Sequence, residues 1–193
     1  NSIKEYNSLR LQDYSFGHFF KEFKKSKHYK NTVLIAVGDH GLNSIKSINV
    51  PKGFYQHRLS LHHTPLIIHF PVLGVNGVNS EVIGSQVDIF PTAAKLAGIE
   101  MKTKALGRDL LSDRTADQNF AFIFSWDFRP SLVGLIDRDY YLEILDDRPA
   151  LFDYRGEFPL KNISSEHINK TKKMTEIAKA IYKYSLLSSK GEI

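Results

Sequence analysis

Residues 33 to 41 read Val33-Leu-Ile-Ala-Val-Gly-Asp-His-Gly41, and the fold turns on that stretch. A short apolar run rich in β-branched residues predicts a strand over 32–37, buried on both faces as in a parallel sheet. Gly38 and Gly41 bracket Asp39 and His40 at the point where such a strand ends. In open parallel sheets ligands gather at the carboxyl ends of strands, which puts Asp39 and His40 where chemistry is done. A carboxylate beside an imidazole suits Zn²⁺ or Mn²⁺. Adjacent side chains on a strand point to opposite faces, so the backbone must turn for both to reach one ion, and glycine permits that. The same four residues also suit a plain tight turn, with Asp39 capping a helix and His40 on the surface. On their own they leave both readings open.

Upstream, Tyr6, Leu9, Phe16, Phe20 and Phe23 recur at helical spacing, and Phe19 widens the stripe, predicting a helix over about 5–27. Asp13 falls on this apolar face, where a carboxylate is expected to be buried and hydrogen-bonded. Downstream, residues 42–60 are polar and irregular, a loop placed to face a substrate. Within it and just beyond lie His57, Arg58, His62 and His63. His57 and Arg58 are nearest the turn and are candidates to bind phosphate oxygens. One of His62 and His63 is expected to be packed, and His69 to be structural. Pro65–Phe70 reads as a second core strand. Asp88 looks like an N-cap, with Pro91 in the first helical turn and Gly98 as the C′ residue. Short strand-like runs follow at 120–125, 132–137 and 140–145, with Asp137-Arg-Asp139 as a hairpin turn and a further short strand near 151–154. A loop tip at Trp126–Arg129 is a place for substrate contact or local packing. A closing helix over 166–187 carries Ile177, Ala180, Ile181 and Tyr184 on one face and lysines on the other.

The length of 193 residues suits one domain or a large piece of a bigger one. The charge of +5 and a pI near 9.2 favour anionic partners. No helix-turn-helix, zinc-finger or RNP pattern supports nucleic-acid binding. No run approaches the roughly 18 apolar residues of a membrane span. Zero cysteines exclude disulfides and thiolate chemistry.

Several phrases lie in a familiar order: Tyr6 to Gly17 (Tyr-x-x-Leu-x-x-x-Asp-Tyr-Ser-Phe-Gly), Tyr29-Lys-Asn-Thr-Val33, Gly38-Asp-His-Gly41, and Thr64-Pro-Leu-Ile-Ile-His-Phe-Pro71. Gln86-Val-Asp-Ile-Phe-Pro-Thr92, Leu96-Ala-Gly98, Leu106-Gly-Arg-Asp-Leu-Leu111 and Ala150-Leu-Phe-Asp-Tyr154 follow. This order resembles the C-terminal half of sulfatase-type domains in the alkaline phosphatase superfamily, and within it lipoteichoic acid synthase-like phosphoglycerol transferases. The resemblance covers residues 5 to 187. It implies an α/β fold, an alkaline-phosphatase-like sheet with flanking helices, plus a small C-terminal antiparallel β portion and closing helix. Residues 1–115 are then the C-terminal part of the catalytic core, and 116–193 a small β subdomain with the C-terminal helix of the same domain.

The resemblance further implies that Asp39 and His40 ligate a divalent metal, Mn²⁺ or Zn²⁺ rather than Ca²⁺, which prefers oxygen ligands. The nucleophile of the family, a Thr or a formylglycine, is expected upstream of Asn1, so the fragment alone is expected to be inactive. The implied partners are an anionic phospholipid or a phosphate-bearing envelope polymer. The implied location is the extracytoplasmic face of the cell membrane, reached through an N-terminal part not in this sequence. Two alternatives stay open: a sulfatase, or a non-catalytic domain that binds anionic lipid or glycan.

Overall fold

The computed structural model describes residues 2–41, 50–74, 77–79, 81–100, 104–113, 118–125 and 131–192. Two compact units emerge, Asn1–Ala36 with Ile67–Gly77, and Val37–Leu66 with Val78–Ile193. The loop tip at 126–129 and the first part of the polar loop, 42–49, lie outside the described residues.

In the first unit α1 spans Ser2–Phe23. Its aromatic stripe packs along itself and onto His69: Phe16 and Phe20 stack at 6.3 Å, and Phe20 meets the His69 ring edge-on at 4.8 Å. The Tyr29 hydroxyl hydrogen-bonds His69 Nε2 at 2.9 Å, so His69 is structural, as its position in the strand predicts. The other end of the stripe is different. Tyr6, Leu9 and Phe16 are exposed, and Asp13 on the same face is exposed rather than buried. A carboxylate on an uncovered helix face keeps its water and needs no internal partner.

Strand β1 (Leu34–Val37) and β2 (Leu66–His69) form a two-stranded sheet. The expected burial on both faces is not met. Leu34 to Ala36 are half-buried, while Val37, Leu66 and Ile67 are exposed. A strand is covered on both faces by elements packed above and below its sheet, and the described residues give this pair too few of them.

The second unit is built around an antiparallel sheet in sequential order, β3 (Ala121–Ser125), β4 (Leu132–Ile136), β5 (Tyr141–Leu145) and β6 (Arg148–Phe152). Its hairpins follow turn chemistry. The Asp137 carboxylate accepts the N–H groups of Asp139 and Tyr140 at 2.9 and 2.7 Å. Asp146 and Asp147, both with positive φ, make the two-residue turn between β5 and β6. Alternation along the strands divides the core in two. On one face Leu135, Leu142, Ile144 and Leu151 pack with Ile163, Met174 and Ala178, the last two from α4 (Ile168–Ser189). On the other, Ile123, Leu132, Tyr141 and Phe152 pack with Leu59, Tyr154 and Phe54. Phe54 belongs to the short α2 (Lys52–Gln56), which approaches so closely that a Cβ on Gly53 would lie 2.0 Å from the Tyr154 carbonyl oxygen. The segment expected to be irregular thus includes a short helix that closes one face of the sheet.

Leu142 is fully buried where the sheet meets α4. Leu142→Ala is expected to cost about 2–5 kcal/mol in urea unfolding of the full chain, whereas Phe158→Ala, at an exposed site, should change it by less than about 0.5 kcal/mol.

Candidate functional site

The Gly38–Gly41 turn leaves the end of β1 and is tied down by backbone bonds. Gly38 N–H donates to the Pro65 carbonyl at 3.3 Å and Gly41 N–H to the Leu61 carbonyl at 2.7 Å. Neither glycine has a positive φ. Their use here is space rather than backbone freedom: a Cβ on Gly41 would sit 1.9 Å from the Ser60 carbonyl oxygen, and one on Gly38 would press on Thr64 at 3.2 Å. By contrast Gly98, expected as a C′ residue, does adopt φ +71 just past α3 (Ile89–Leu96).

Asp39 and His40 both point into solvent, with side chains 90% and 71% exposed. Asp39 Oδ1 accepts the His40 backbone N–H at 2.9 Å, leaving Oδ2 3.8 Å from His40 Nε2. That gap is too long for a hydrogen bond. It is shorter than twice a metal–ligand distance of about 2.0–2.2 Å, so one ion can touch both atoms. His40 Nδ1 lies 2.9 Å from the Gly41 carbonyl oxygen. A carbonyl accepts, so Nδ1 carries the proton of the neutral ring and Nε2 keeps its lone pair for a ligand. The donor set fits a borderline divalent cation. Among the described residues no group of three or more His, Cys, Asp or Glu is placed to hold a metal ion, so Asp39 and His40 stand as a pair.

A residue with no role in the sequence reading completes the turn. Gln86 Nε2 donates to the carbonyl oxygens of Gly38 and Asp39, both at 2.8 Å. Gln86 is held in turn by a bracket beneath it. Ser85 and Asp88 form a capping box around the 3-10 turn Gln86–Asp88 that leads into α3. Asp88, fully buried, accepts the Arg108 backbone N–H at 2.7 Å and pairs with its guanidinium at 3.3 Å. Arg108 also donates to the carbonyls of Gln118 and Phe120 and lies over the Phe120 ring at 4.4 Å. Asp88 thus precedes α3 as expected, but its carboxylate serves Ser85 and Arg108 instead of the helix's own N–H groups. The signal was present in the order of the Gln86–Thr92 and Leu106–Leu111 phrases. The bonds from Gln86 to Gly38 and from Asp88 to Arg108 span 48 and 20 residues and leave no local pattern.

His57 is placed differently from expectation. Its side chain is 3% exposed, with Nδ1 2.9 Å from Glu143 Oε1 and Nε2 2.7 Å from the Pro159 carbonyl oxygen. Both ring nitrogens are engaged inside the protein, so none is left for a phosphate oxygen. Arg58 adopts a left-handed backbone (φ 57) and, with His62 and Ser125, lines a cavity of about 30 Å³. His63 packs edge-on against Phe54 at 5.6 Å.

Burial is the largest single influence on His57 and opposes its charged form. The Glu143 hydrogen bond, the Pro159 carbonyl and the Glu143 charge together outweigh it, so its pKa lies above the ordinary 6.5. Burial first, and then the Glu143 charge, push the neighbouring Tyr141 hydroxyl well above its usual value.

The fold defined by these elements is that of the alkaline phosphatase superfamily. A superfamily protein from Vibrio parahaemolyticus superposes with a TM-score of 0.66 at 23% identity, over 93% of this chain and 42% of that one. Residues 4–99 match the family described as Sulfatase, and the chain is homologous to lipoteichoic acid synthase-like YvgJ. It is 29% identical over 164 residues to the lipoteichoic acid synthase-like protein YvgJ of Bacillus subtilis (strain 168), covering 77% of this chain and 26% of that relative. It is 30% identical over 131 residues to lipoteichoic acid synthase 1 of the same organism, covering 63% and 20%. The chain therefore spans about a quarter or less of the length of these relatives. The homology supports a function of the sulfatase or phosphotransferase type.

Because the folded pKa of His57 is raised, its contribution to stability is complete below about pH 6.5 and is lost as pH rises through the folded value. Urea unfolding of the full chain and of His57→Leu, compared from pH 5.5 to 9, should show a difference in unfolding free energy that shrinks with rising pH. A difference that grows with pH would show that His57 is held neutral.

Proposed function

We propose that the whole protein is a metal-dependent phosphotransferase that moves phosphoglycerol-type headgroups in the cell envelope, with Asp39 and His40 among its metal ligands. The exposed Asp39–His40 pair, with Nε2 left for ligation by the Nδ1 bond to Gly41, carries this reading. Homology to lipoteichoic acid synthase-like YvgJ supports it over other chemistries of the same fold. A bound divalent ion lowers the pKa of a nucleophilic hydroxyl and offsets charge developing on phosphoryl oxygens. Mn²⁺ or Zn²⁺ suits the imidazole nitrogen better than Ca²⁺.

The residues of this chain contribute by holding and orienting. Asp39 Oδ2 and His40 Nε2 present one anionic and one neutral donor to the same solvent-facing point. The Gly41 carbonyl fixes the imidazole tautomer, and the narrow space at Gly41 keeps the turn against the 60–63 backbone. The expected donor is an anionic phospholipid and the acceptor a phosphate-bearing envelope polymer or its precursor. The expected place of action is the extracytoplasmic face of the membrane. No described helix is long and apolar enough to cross a membrane. Sulfuric ester hydrolysis is the second reading, favoured by the match of residues 4–99 to the Sulfatase family.

The test uses the full-length protein with Mn²⁺ or Zn²⁺, assayed on bis-p-nitrophenyl phosphate and on p-nitrophenyl sulfate. Asp39→Ala with His40→Ala is expected to lower phosphodiesterase activity at least 100-fold and to abolish stoichiometric metal. Unchanged activity and metal content in that double variant would remove Asp39 and His40 from the site. Preferential turnover of the sulfate ester would select the second reading.

A further inference from the structure

We infer that Gln86 is a positioning residue for the metal turn, with its side-chain amide serving as a two-pronged clamp on the backbone that carries Asp39 and His40. The inference rests on the reading of Asp39 and His40 as metal ligands. It adds a residue 46 positions downstream of His40, on a different element, to the machinery that sets their geometry.

The geometry of the amide is specific. One nitrogen donates to two successive carbonyl oxygens, Gly38 and Asp39, both at 2.8 Å. One NH₂ group has two hydrogens and can serve both carbonyls, whereas a carboxylate or amide oxygen there would face two oxygens with no proton between them. Side chains with no N–H donor cannot make these bonds. Asn carries the same amide on a stem shorter by one methylene. Successive carbonyls held from one point fix the relative rotation of the two peptide units that meet at the Asp39 Cα. That rotation sets the direction in which the Asp39 side chain departs and the starting point of the His40 backbone. Ligating side chains are tuned by the groups that orient them, and loss of such a group typically costs about 10- to 100-fold in metal affinity.

Gln86 can act as a clamp because its own backbone is rigid. It is the first residue of a 3-10 turn whose last residue, Asp88, is buried and bonded to Ser85 N–H at 2.9 Å and to Arg108 N–H at 2.7 Å. Gly107 lets the 107–108 backbone come up against this turn, since a Cβ there would lie 1.9 Å from the Val87 carbonyl oxygen. Thr92 closes the same assembly, donating to the Asp88 carbonyl at 2.6 Å and accepting the Leu110 N–H at 2.9 Å. The phrases Gln86–Thr92 and Leu106–Leu111 thus form one anchor, and Gln86 is its projecting arm.

Two variants of the full-length protein separate this role from a general structural one. Gln86→Met keeps the length of the arm without donors, and Gln86→Glu keeps its shape with acceptors in place of donors. Mn²⁺ affinity, read from the free-ion EPR signal, is expected to fall about 10- to 100-fold in Gln86→Met and at least as far in Gln86→Glu. In the metal-free protein, amide exchange at Asp39 and His40 should quicken in both variants, while protection in α3 and in the β3–β6 sheet stays as in the wild type. Tighter Mn²⁺ binding by Gln86→Glu would overturn the inference, because it would make position 86 a ligand site. So would unchanged affinity together with unchanged exchange. If wild type and Asp39→Ala bind Mn²⁺ equally, the ligand assignment fails instead, and faster exchange in Gln86→Met still reports the clamp.

Discussion

The buried carboxylate of Asp88 is the constraint on which the region around the Gly38–Gly41 turn depends. A fully desolvated carboxylate must be satisfied on several sides, and Asp88 meets that demand with two backbone N–H groups and a guanidinium. Satisfying it draws together segments that are distant in sequence. Ser85 is pulled into a capping box, residues 107–108 are pressed against the turn at 86–88, and Arg108 reaches on to the carbonyls of Gln118 and Phe120. Such a pair is weak evidence for stability in itself, because an apolar replacement of the same shape often does as well. Its value here is positional. It fixes the start of α3, and through Gln86 the backbone of Gly38 and Asp39.

A second polar cluster does comparable work in the antiparallel sheet. Strand alternation puts Leu142 and Ile144 on the face covered by α4, and Tyr141 and Glu143 on the opposite face. A carboxylate on a largely apolar face needs a partner, and His57 supplies one from the segment that follows α2. The imidazole spans from Glu143 to the Pro159 carbonyl and packs at 4.4 Å from the Phe152 ring. His57 therefore ties the 52–61 segment to the sheet. The proximity of His57 to Asp39 and His40 in sequence has a mechanical meaning, since the same segment supplies the Leu61 carbonyl to Gly41.

Local patterns made the elements legible. The β-branched run before Gly38, the Asp88–Pro91–Gly98 punctuation of α3 and the Asp137 hairpin each rest on rules that operate within a few residues, whereas the face expected for α4 includes Ala180, which is exposed, and omits the buried Met174 and Ala178. The order of the phrases made the superfamily legible as well. What stayed hidden depended on distant partners. Asp13 and Val37 lie on faces whose cover is decided by the rest of the structure, so their local pattern overstated burial. His57 looked like a phosphate ligand because cationic groups cluster after the turn, and its true partners lie 86 and 102 residues away. Gly38 and Gly41 were read for backbone freedom, whereas contact with the 60–64 segment accounts for them.

The ties on the Gly38–Gly41 turn differ in how they depend on sequence. The bonds from Gly38 N–H to Pro65 and from Gly41 N–H to Leu61 join backbone to backbone, and most residues could supply them. Gly41 is required because a Cβ would collide with the Ser60 carbonyl. Gln86 is required because the remaining two carbonyls need a donor that reaches across from another element. These ties are made by the protein's own atoms, so Asp39 and His40 project as two exposed side chains from a backbone held at three points. A turn arranged in this way places strict sequence demands on the residues beside Asp39 and His40 as well as on that pair.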